Sequence, residues 1–367
     1  MSENNNNSNR MFFLINIKSI YLIKQISDNL IKTKFLNIIK YNKKLQKRLD
    51  ITLNDFKRCG KIEISLTINS KSYYKFINIK DNKQYYHIYY DDSKEEEKEK
   101  SGICRLDKDE ITIKIIIDNE IKSLKGLFEN CESIRKISFL KCNILDINDM
   151  SYIFWKCSNI REIDFSNFKT DNVTTMVKMF FQCESLKKLD LSNFNTNKVT
   201  SMYEMFGECK FLKKINLSSF NTINVKTMSF MFNGCISLEE LDLSNFDTLN
   251  VCDMSSMFCG CCSLKELDLS NFNTKNVIYM RYMFSWCKSL KKLNLSGFNT
   301  SKVTDMYNMF SECPSLEDLD ISNFNNINIK NIDYIFSGCL SLKNREQLEN
   351  KVKNPNDSNG SSVCLLF

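Results

Sequence analysis

The sequence predicts an α/β solenoid of 26-residue repeats, each a short parallel strand and a two-turn helix, behind a small α+β amino-terminal region. Three observations carry this. Cys131, Cys157, Cys183, Cys209, Cys235, Cys261, Cys287, Cys313 and Cys339 recur every 26 residues without a slip, the mark of one unit copied along the chain. Met176, Met179, Phe180 and Cys183 stand at i, i+3, i+4 and i+7, one face of a two-turn helix. Leu186, Leu189 and Leu191 follow as L-x-x-L-x-L, the pattern of a short strand. A helix this short is unstable alone and one strand cannot bury its face, so the copies must stack.

Taken in order, residues 1–10 are Asn-rich and read as disordered. Residues 11–60 read as helical: Ile20, Ile23, Ile26, Leu30 and Ile31 form one stripe and Phe35, Leu36, Ile38, Ile39 and Tyr41 another, an amphipathic pair over 18–46. Residues 61–100 switch to period two at Ile62, Ile64, Leu66 and Ile68, continue through β-like runs at 73–79 and 85–90, and end in a charged linker, Asp91 to Lys100. The solenoid spans 111–343, with Ile111–Ile117 as a cap strand over its open end. Thr175, Ser201, Thr227, Asp253 and Asp305 precede the helices as N-caps. Residues 344–367 form a tail.

The run Met-x-x-Met-Phe-x-x-Cys-x-Ser-Leu-x-x-Leu-Asp-Leu-Ser-x-Phe-x-Thr resembles the BspA-like leucine-rich repeat of bacterial and protist surface proteins. The resemblance implies a leucine-rich-repeat solenoid, an arc-shaped interaction module without enzymatic activity. Against general leucine-rich repeats, Phe168, Phe194, Phe220, Phe246, Phe272, Phe298 and Phe324 take the place of the usual Asn or Cys, so an aromatic spine is expected instead of a polar ladder.

Sixteen cysteines would suit a disulfide scaffold, but one per repeat behind an apolar stripe reads as a column of buried, reduced thiols. The net charge is +7, and residues 1–50 hold ten Lys/Arg against three Asp/Glu. Met11 to Ile23 is apolar but broken by Asn16, Lys18 and Ser19, and no small-residue cleavage site follows, which argues against a signal peptide. No stretch reaches the ~18 apolar residues of a membrane span.

Enzymatic chemistry, cofactors and metal sites are not expected. His87 is the single histidine, and Cys252, Cys259, Cys261 and Cys262 lack the paired C-x-x-C spacing of a zinc site. No phosphate loop or nucleophile elbow is present. Asp164, Asp190, Asp242, Asp268 and Asp320 form a column interrupted by Asn216 and Asn294, which reads as structural. The neighbouring column, Glu162, Lys188, Lys214, Glu240, Glu266, Lys292 and Asp318, changes sign and disfavours nucleic acid.

Two features point to function. Cys364-Leu-Leu-Phe367 spells a C-a-a-X box, with Phe favouring geranylgeranyl; this predicts a peripheral protein at the cytosolic face of a membrane. Tyr152, Trp155, Phe181, Tyr203, Phe230, Tyr282, Trp286 and Tyr307 replace small or polar residues of sibling repeats and are candidate anchors for a protein partner. The expected function is a prenyl-anchored, non-enzymatic scaffold. The alternative is an F-box-like adaptor of a ubiquitin ligase, suggested by the helical pair before the repeats although its Leu-Pro opening is missing.

Overall fold

The computed structural model describes residues 43–48, 61–69, 74–79, 81–91, 93–97, 100, 102–104, 110–118, 120–142 and 146–352. The residue 1–10 segment, most of the helical region predicted over 11–60, including most of its amphipathic pair, and the C-a-a-X box lie outside these residues.

The repeats are not helical. Among the described residues, α-helix is confined to α1 (Lys43–Arg48) and α2 (Arg345–Val352). The remainder consists of short strands and a chain of turns, so the predicted α/β leucine-rich-repeat solenoid with two-turn helices is corrected to a stack of strand-and-turn coils. The coils are 26 residues apart: parallel bridges link Ser123 to Asp149, Asp149 to Thr175, and onward to Asn331.

The backbone explains the difference. Each Met-x-x-Met-Phe-x-x-Cys segment holds two left-handed residues four apart, such as Lys178 (φ 53°) and Gln182 (φ 59°), and the pair recurs in all nine copies from Gly126 and Asn130 to Tyr334 and Gly338. These kinks are incompatible with a right-handed helix. They produce a ribbon in which alternate N–H groups point to different partners. Met176, Lys178, Phe180 and Gln182 donate to Ser201, Tyr203, Met205 and Gly207 of the next coil at 2.9–3.3 Å. Met179, Phe181 and Cys183 donate three residues back within their own coil.

A helix over the same residues would leave its first four N–H groups without intrahelical partners. Four additional bonds are worth about 2–6 kcal/mol net, against about 2–4 kcal/mol for two left-handed residues. The apolar spacing i, i+3, i+4, i+7 is satisfied equally by the ribbon, since Met176, Met179, Phe180 and Cys183 are all fully buried. The predicted N-caps open the ribbon instead of a helix: Asp253 Oδ1 accepts the Ser255 N–H at 2.8 Å and Asp305 Oδ1 accepts the Tyr307 N–H at 3.0 Å.

Four files of side chains run along the stack. Phe128, Phe154, Phe180, Phe206, Phe232, Phe258, Phe284, Phe310 and Phe336 stack with ring centroids 5.4–5.9 Å apart and planes within 13° of parallel. The phenylalanines named in the sequence form a second file, buried from Phe168 to Phe298. A polar ladder was expected to be missing, yet it stands one residue earlier: Asn193, Asn245, Asn271 and Asn323 each donate through Nδ2 to carbonyls of the preceding coil, at 2.7 Å for Asn193 to Phe165. A fully buried threonine file completes it. Thr248 Oγ1 donates to the Asn273 carbonyl (3.1 Å) and accepts the Asn273 N–H (2.8 Å), a pattern repeated at Thr170, Thr196, Thr274 and Thr300.

Strands β7 (Glu162–Asp164), β8 (Lys188–Asp190), β9 (Lys214–Asn216), β10 (Glu266–Asp268) and β11 (Lys292–Asn294) line the opposite side, with β8–β9 and β10–β11 paired in parallel. The amino-terminal end is closed by an antiparallel sheet. β1 (Lys61–Asn69) pairs with β5 (Glu110–Asp118) and with β6 (Ile134–Cys142), and β6 pairs in parallel with β7, giving the order β3-β5-β1-β6-β7 with β3 at Tyr86–Tyr90. Thus β1 abuts the first coil directly, and β5 lies one strand farther out. Asn78 closes the first ribbon, its N–H donating to Leu127 and its Nδ2 to Gly126 and Glu129. A separate short pair joins β2 (Tyr74–Lys75) to β4 (Ile103–Cys104). The expected solvated linker folds back in part: Glu97 N–H donates to Ile88 and Glu96 pairs with Lys100 at 2.8 Å.

Replacing Thr248 by Val keeps the shape but strips Asn273 of both partners. Chemical denaturation should show a loss of about 1–3 kcal/mol; Phe232→Ala should lose about 3–5 kcal/mol.

Candidate interaction surfaces

The ribbon side of the stack carries the aromatic residues singled out in the sequence. The fold gathers seven of the eight into three groups. Tyr152 meets Trp155 edge to face at 6.3 Å. Phe181, Tyr203 and Phe230 are linked through Lys178, whose Nζ lies 5.3 Å from the Phe181 ring and 5.6 Å from the Tyr203 ring, while Tyr203 meets Phe230 at 5.9 Å. Tyr282 meets Tyr307 at 5.3 Å. Trp286 stands apart, 47% exposed, with Lys288 5.2 Å from its ring; the other seven are half-buried.

Two residues were missed. Tyr334, 49% exposed, extends the last group by meeting Tyr307 at 5.9 Å, and Tyr279 is exposed at a bridge position. Tyr334 lies two repeats beyond Tyr282 at the same repeat position, a signal legible from the period alone. Four of the eight expected anchors, Tyr152, Phe230, Tyr282 and Trp286, hold left-handed backbone, as does Tyr334.

Local charge is arranged around these rings. Lys178 pairs with Glu204 at 3.2 Å, and burial, together with the Glu204 contact, pushes the Tyr203 phenol up to about 12. Lys156 sits 4.4 Å from the Trp155 ring. The Trp155 indole N–H is buried without an acceptor, the one such side-chain group among the described residues.

The strand side is held by ion pairs between adjacent coils: Lys136–Glu162 at 2.8 Å, Lys214–Glu240 at 3.2 Å, Lys292–Glu266 at 2.6 Å and Lys343–Asp318 at 3.2 Å. Its alternating column is therefore largely self-neutralised. The aspartate column makes turns: each carboxylate or Asn216/Asn294 amide oxygen accepts the N–H of the serine two residues on, at 2.7–3.1 Å. That bond, first among its causes, holds Asp242, Asp268 and Asp320 below the usual carboxylate range. A cleft of about 850 Å³ separates this side from α2, with Leu267, Leu293, Leu319 and Leu348 on its walls.

The thiol column is internal. Cys157, Cys183, Cys209, Cys235, Cys261, Cys287, Cys313 and Cys339 stand free of disulfides, and each Sγ donates to a phenylalanine carbonyl of the preceding coil at 2.9–3.3 Å. Burial pushes Cys131, Cys209 and Cys339 up to about 12 and raises Cys157, Cys183, Cys235 and Cys261, while a hydrogen bond with Cys313, followed by burial, raises Cys287.

His87 is bracketed by Glu96 (3.1 Å) and Asp118 (3.2 Å), a contact that ties β3, β5 and the folded-back segment together. Among the described residues no group of three or more His, Cys, Asp or Glu could hold a metal ion, and no helix is long and apolar enough to cross a membrane. Cys364 lies outside the described residues.

A family model described as "Mycoplasma protein of unknown function, DUF285" matches residues 122–241, 209–297 and 233–350, together well over half of the chain. The chain belongs to that repeat family, in keeping with the BspA-like resemblance. No curated protein and no solved structure matches it.

Because the folded thiols bind protons more tightly than unfolded ones, their contribution to stability is intact below the ordinary thiol pKa. It is lost as pH rises from about 8.5 toward 12. Denaturation midpoints should therefore fall between pH 8 and 10, by up to about 1.4 kcal/mol per pH unit for each thiol. A midpoint that holds or rises across that window contradicts the buried, protonated column.

Proposed function

We propose that the chain is a non-enzymatic scaffold that binds a partner protein through the aromatic ribbon side. We further propose that a geranylgeranyl group on Cys364 holds it at the cytosolic face of a membrane. The observation that carries the binding reading is backbone cost. A bulky L-residue in the left-handed region costs about 1–2 kcal/mol. Sibling coils place Gly126 or Asn308 at the position of Tyr282 and Tyr334, and Gly234, Gly260 or Gly338 at that of Trp286. The rings are retained where glycine is accepted, and Trp286 and Tyr334 are about half exposed. Strain kept at a surface ring supports a role in contact, and Tyr and Trp are among the usual anchors of interface cores.

The anchor reading is supported by the Cys364-Leu-Leu-Phe367 spelling. One chain gives marginal, reversible residence, so the basic residues 1–50 are assigned as the second, electrostatic signal. The strand side, where lysines pair with carboxylates of adjacent coils, supports a protein partner over nucleic acid, because basic residues do not form one continuous stripe for phosphates.

Replacing Trp286 and Tyr334 by Gly should leave the denaturation midpoint unchanged or raise it, while capture of the partner by cross-linking in the native cells falls at least about tenfold. Loss of stability with unchanged capture would assign both rings to packing. Cys364→Ser should move the protein from the membrane pellet to the soluble fraction; unchanged fractionation contradicts the anchor.

A further inference from the structure

The cap sheet ends in edge strand β3, whose only sheet neighbour among the described residues is β5. Along its other side runs the folded-back segment, where the Glu97 N–H donates to the Ile88 carbonyl at 2.8 Å. The turn into this segment is fixed near its start. Asp91 N–H donates to the Thr112 carbonyl (2.8 Å), Thr112 N–H to Asp91 Oδ1 (3.1 Å) and Ser93 N–H to the Tyr90 carbonyl (2.8 Å). Farther on, side chains hold it. His87, within β3 and with its side chain 26% exposed, places Nδ1 3.1 Å from Glu96 Oε1. Its Nε2 lies 3.2 Å from Asp118 Oδ2, at the end of β5. An open strand edge is a template for pairing with another chain, and a segment laid along it is one way a fold covers it.

One imidazole thus faces two carboxylates. An ionised carboxylate only accepts, whereas a neutral imidazole carries one N–H and one lone pair. The neutral ring satisfies one carboxylate and turns its lone pair on the other; the imidazolium alone donates to both. The surrounding charges support the two carboxylates unequally. Lys100 Nζ lies 2.8 Å from Glu96 and donates to the Lys83 carbonyl at 3.2 Å, while Lys61 stands 3.6 Å from Asp118. Asp118 has the more distant second partner, so it takes the single proton of the neutral ring at Nε2, and Glu96 is left against the Nδ1 lone pair. Across Ile116 on β1, Glu63 pairs with Lys114 (3.4 Å) and Lys141 (4.0 Å), and Lys94 and Glu95 of the segment are exposed. The Lys100 bond holds Glu96 below the usual carboxylate range, and burial, ahead of the two nearby carboxylates, pushes the Tyr89 phenol up. Histidine is the side chain that ordinarily changes charge between pH 5 and 8, and His87 is the single histidine of the chain. We propose that protonation of His87 latches residues 93–97 over the free edge of β3, and that loss of the proton loosens the latch and uncovers that edge. The latch involves neither the aromatic ribbon side nor Cys364.

Hydrogen exchange of the full chain reads the latch at the Glu97 amide, as a protection factor from which the intrinsic pH dependence of exchange is removed. Protection should fall at least about fivefold from pH 5 to 8, with a midpoint that matches the titration of the His87 ring followed by nitrogen NMR. Glu96→Gln separates the latch from plain packing. A carboxamide both donates and accepts, so it serves either form of the ring. In that variant the Glu97 protection should change less than about twofold over the same range. His87→Thr, which keeps a β-branched residue in the strand, should abolish the step and hold protection at the low level of the deprotonated wild type. Unchanged wild-type protection, a midpoint that departs from that of the ring, or a step that survives in either variant overturns the proposal.

Discussion

Everything in the stack depends on the alternation of N–H direction along the turn ribbon. Even-placed donors bind the next coil and odd-placed donors bind back within their own, so a single segment is both a series of tight turns and a strand in a parallel ladder. The alternation requires left-handed residues four apart in each coil. Their cost is local, and their gain is shared with the neighbour. That is why no coil is viable alone and why stability is a property of adjacent pairs. The ladder also sets the spacing of the coils, at which the phenylalanine rings stack 5.4–5.9 Å apart with planes nearly parallel.

A dry interior crossed by so many turns would otherwise strand backbone carbonyls, and three short polar side chains deal with them. Asn reaches back to carbonyls of the preceding coil, Thr bridges an N–H and a carbonyl of the following one, and Cys satisfies the carbonyl beside the phenylalanine file. Cysteine suits its place because it packs as a hydrophobe while offering a weak donor. Serine would bring a stronger hydroxyl with a second acceptor site to satisfy. The thiol column is thus an element of the core, and its chemistry is suppressed by burial.

The period, the buried Met-Met-Phe-Cys set and the short strands were legible in the sequence, because burial follows spacing. The sign of φ was not. A spacing of i, i+3, i+4, i+7 cannot separate a helix from a ribbon of turns when both put the same side chains inward. The distinguishing signal was present in Gly126, Gly234, Gly260 and Gly338 with Asn130 and Asn308, all at the two kinked positions. It was diluted because Lys, Gln, Glu and aromatic residues fill the remainder. The asparagine ladder was not legible for a related reason: Asn193 and its equivalents sit in turns beside the apolar file, where Asn is common whether or not its side chain reaches a neighbouring coil. On the ribbon side, spacing located the aromatic residues but could not group them, since Lys178 joins Phe181 to Tyr203 only once the coils are stacked.

The same backbone links fold to function. Rings at kinked positions cost stability, and two of them, Trp286 and Tyr334, stand about half exposed. The central claim is most directly tested by comparing Gln182→Gly with Gln182→Ala in chemical denaturation. At a left-handed position the Gly variant should be the more stable by about 1 kcal/mol. In a helix the order reverses by about the same amount, and an Ala variant more stable than Gly would contradict the ribbon.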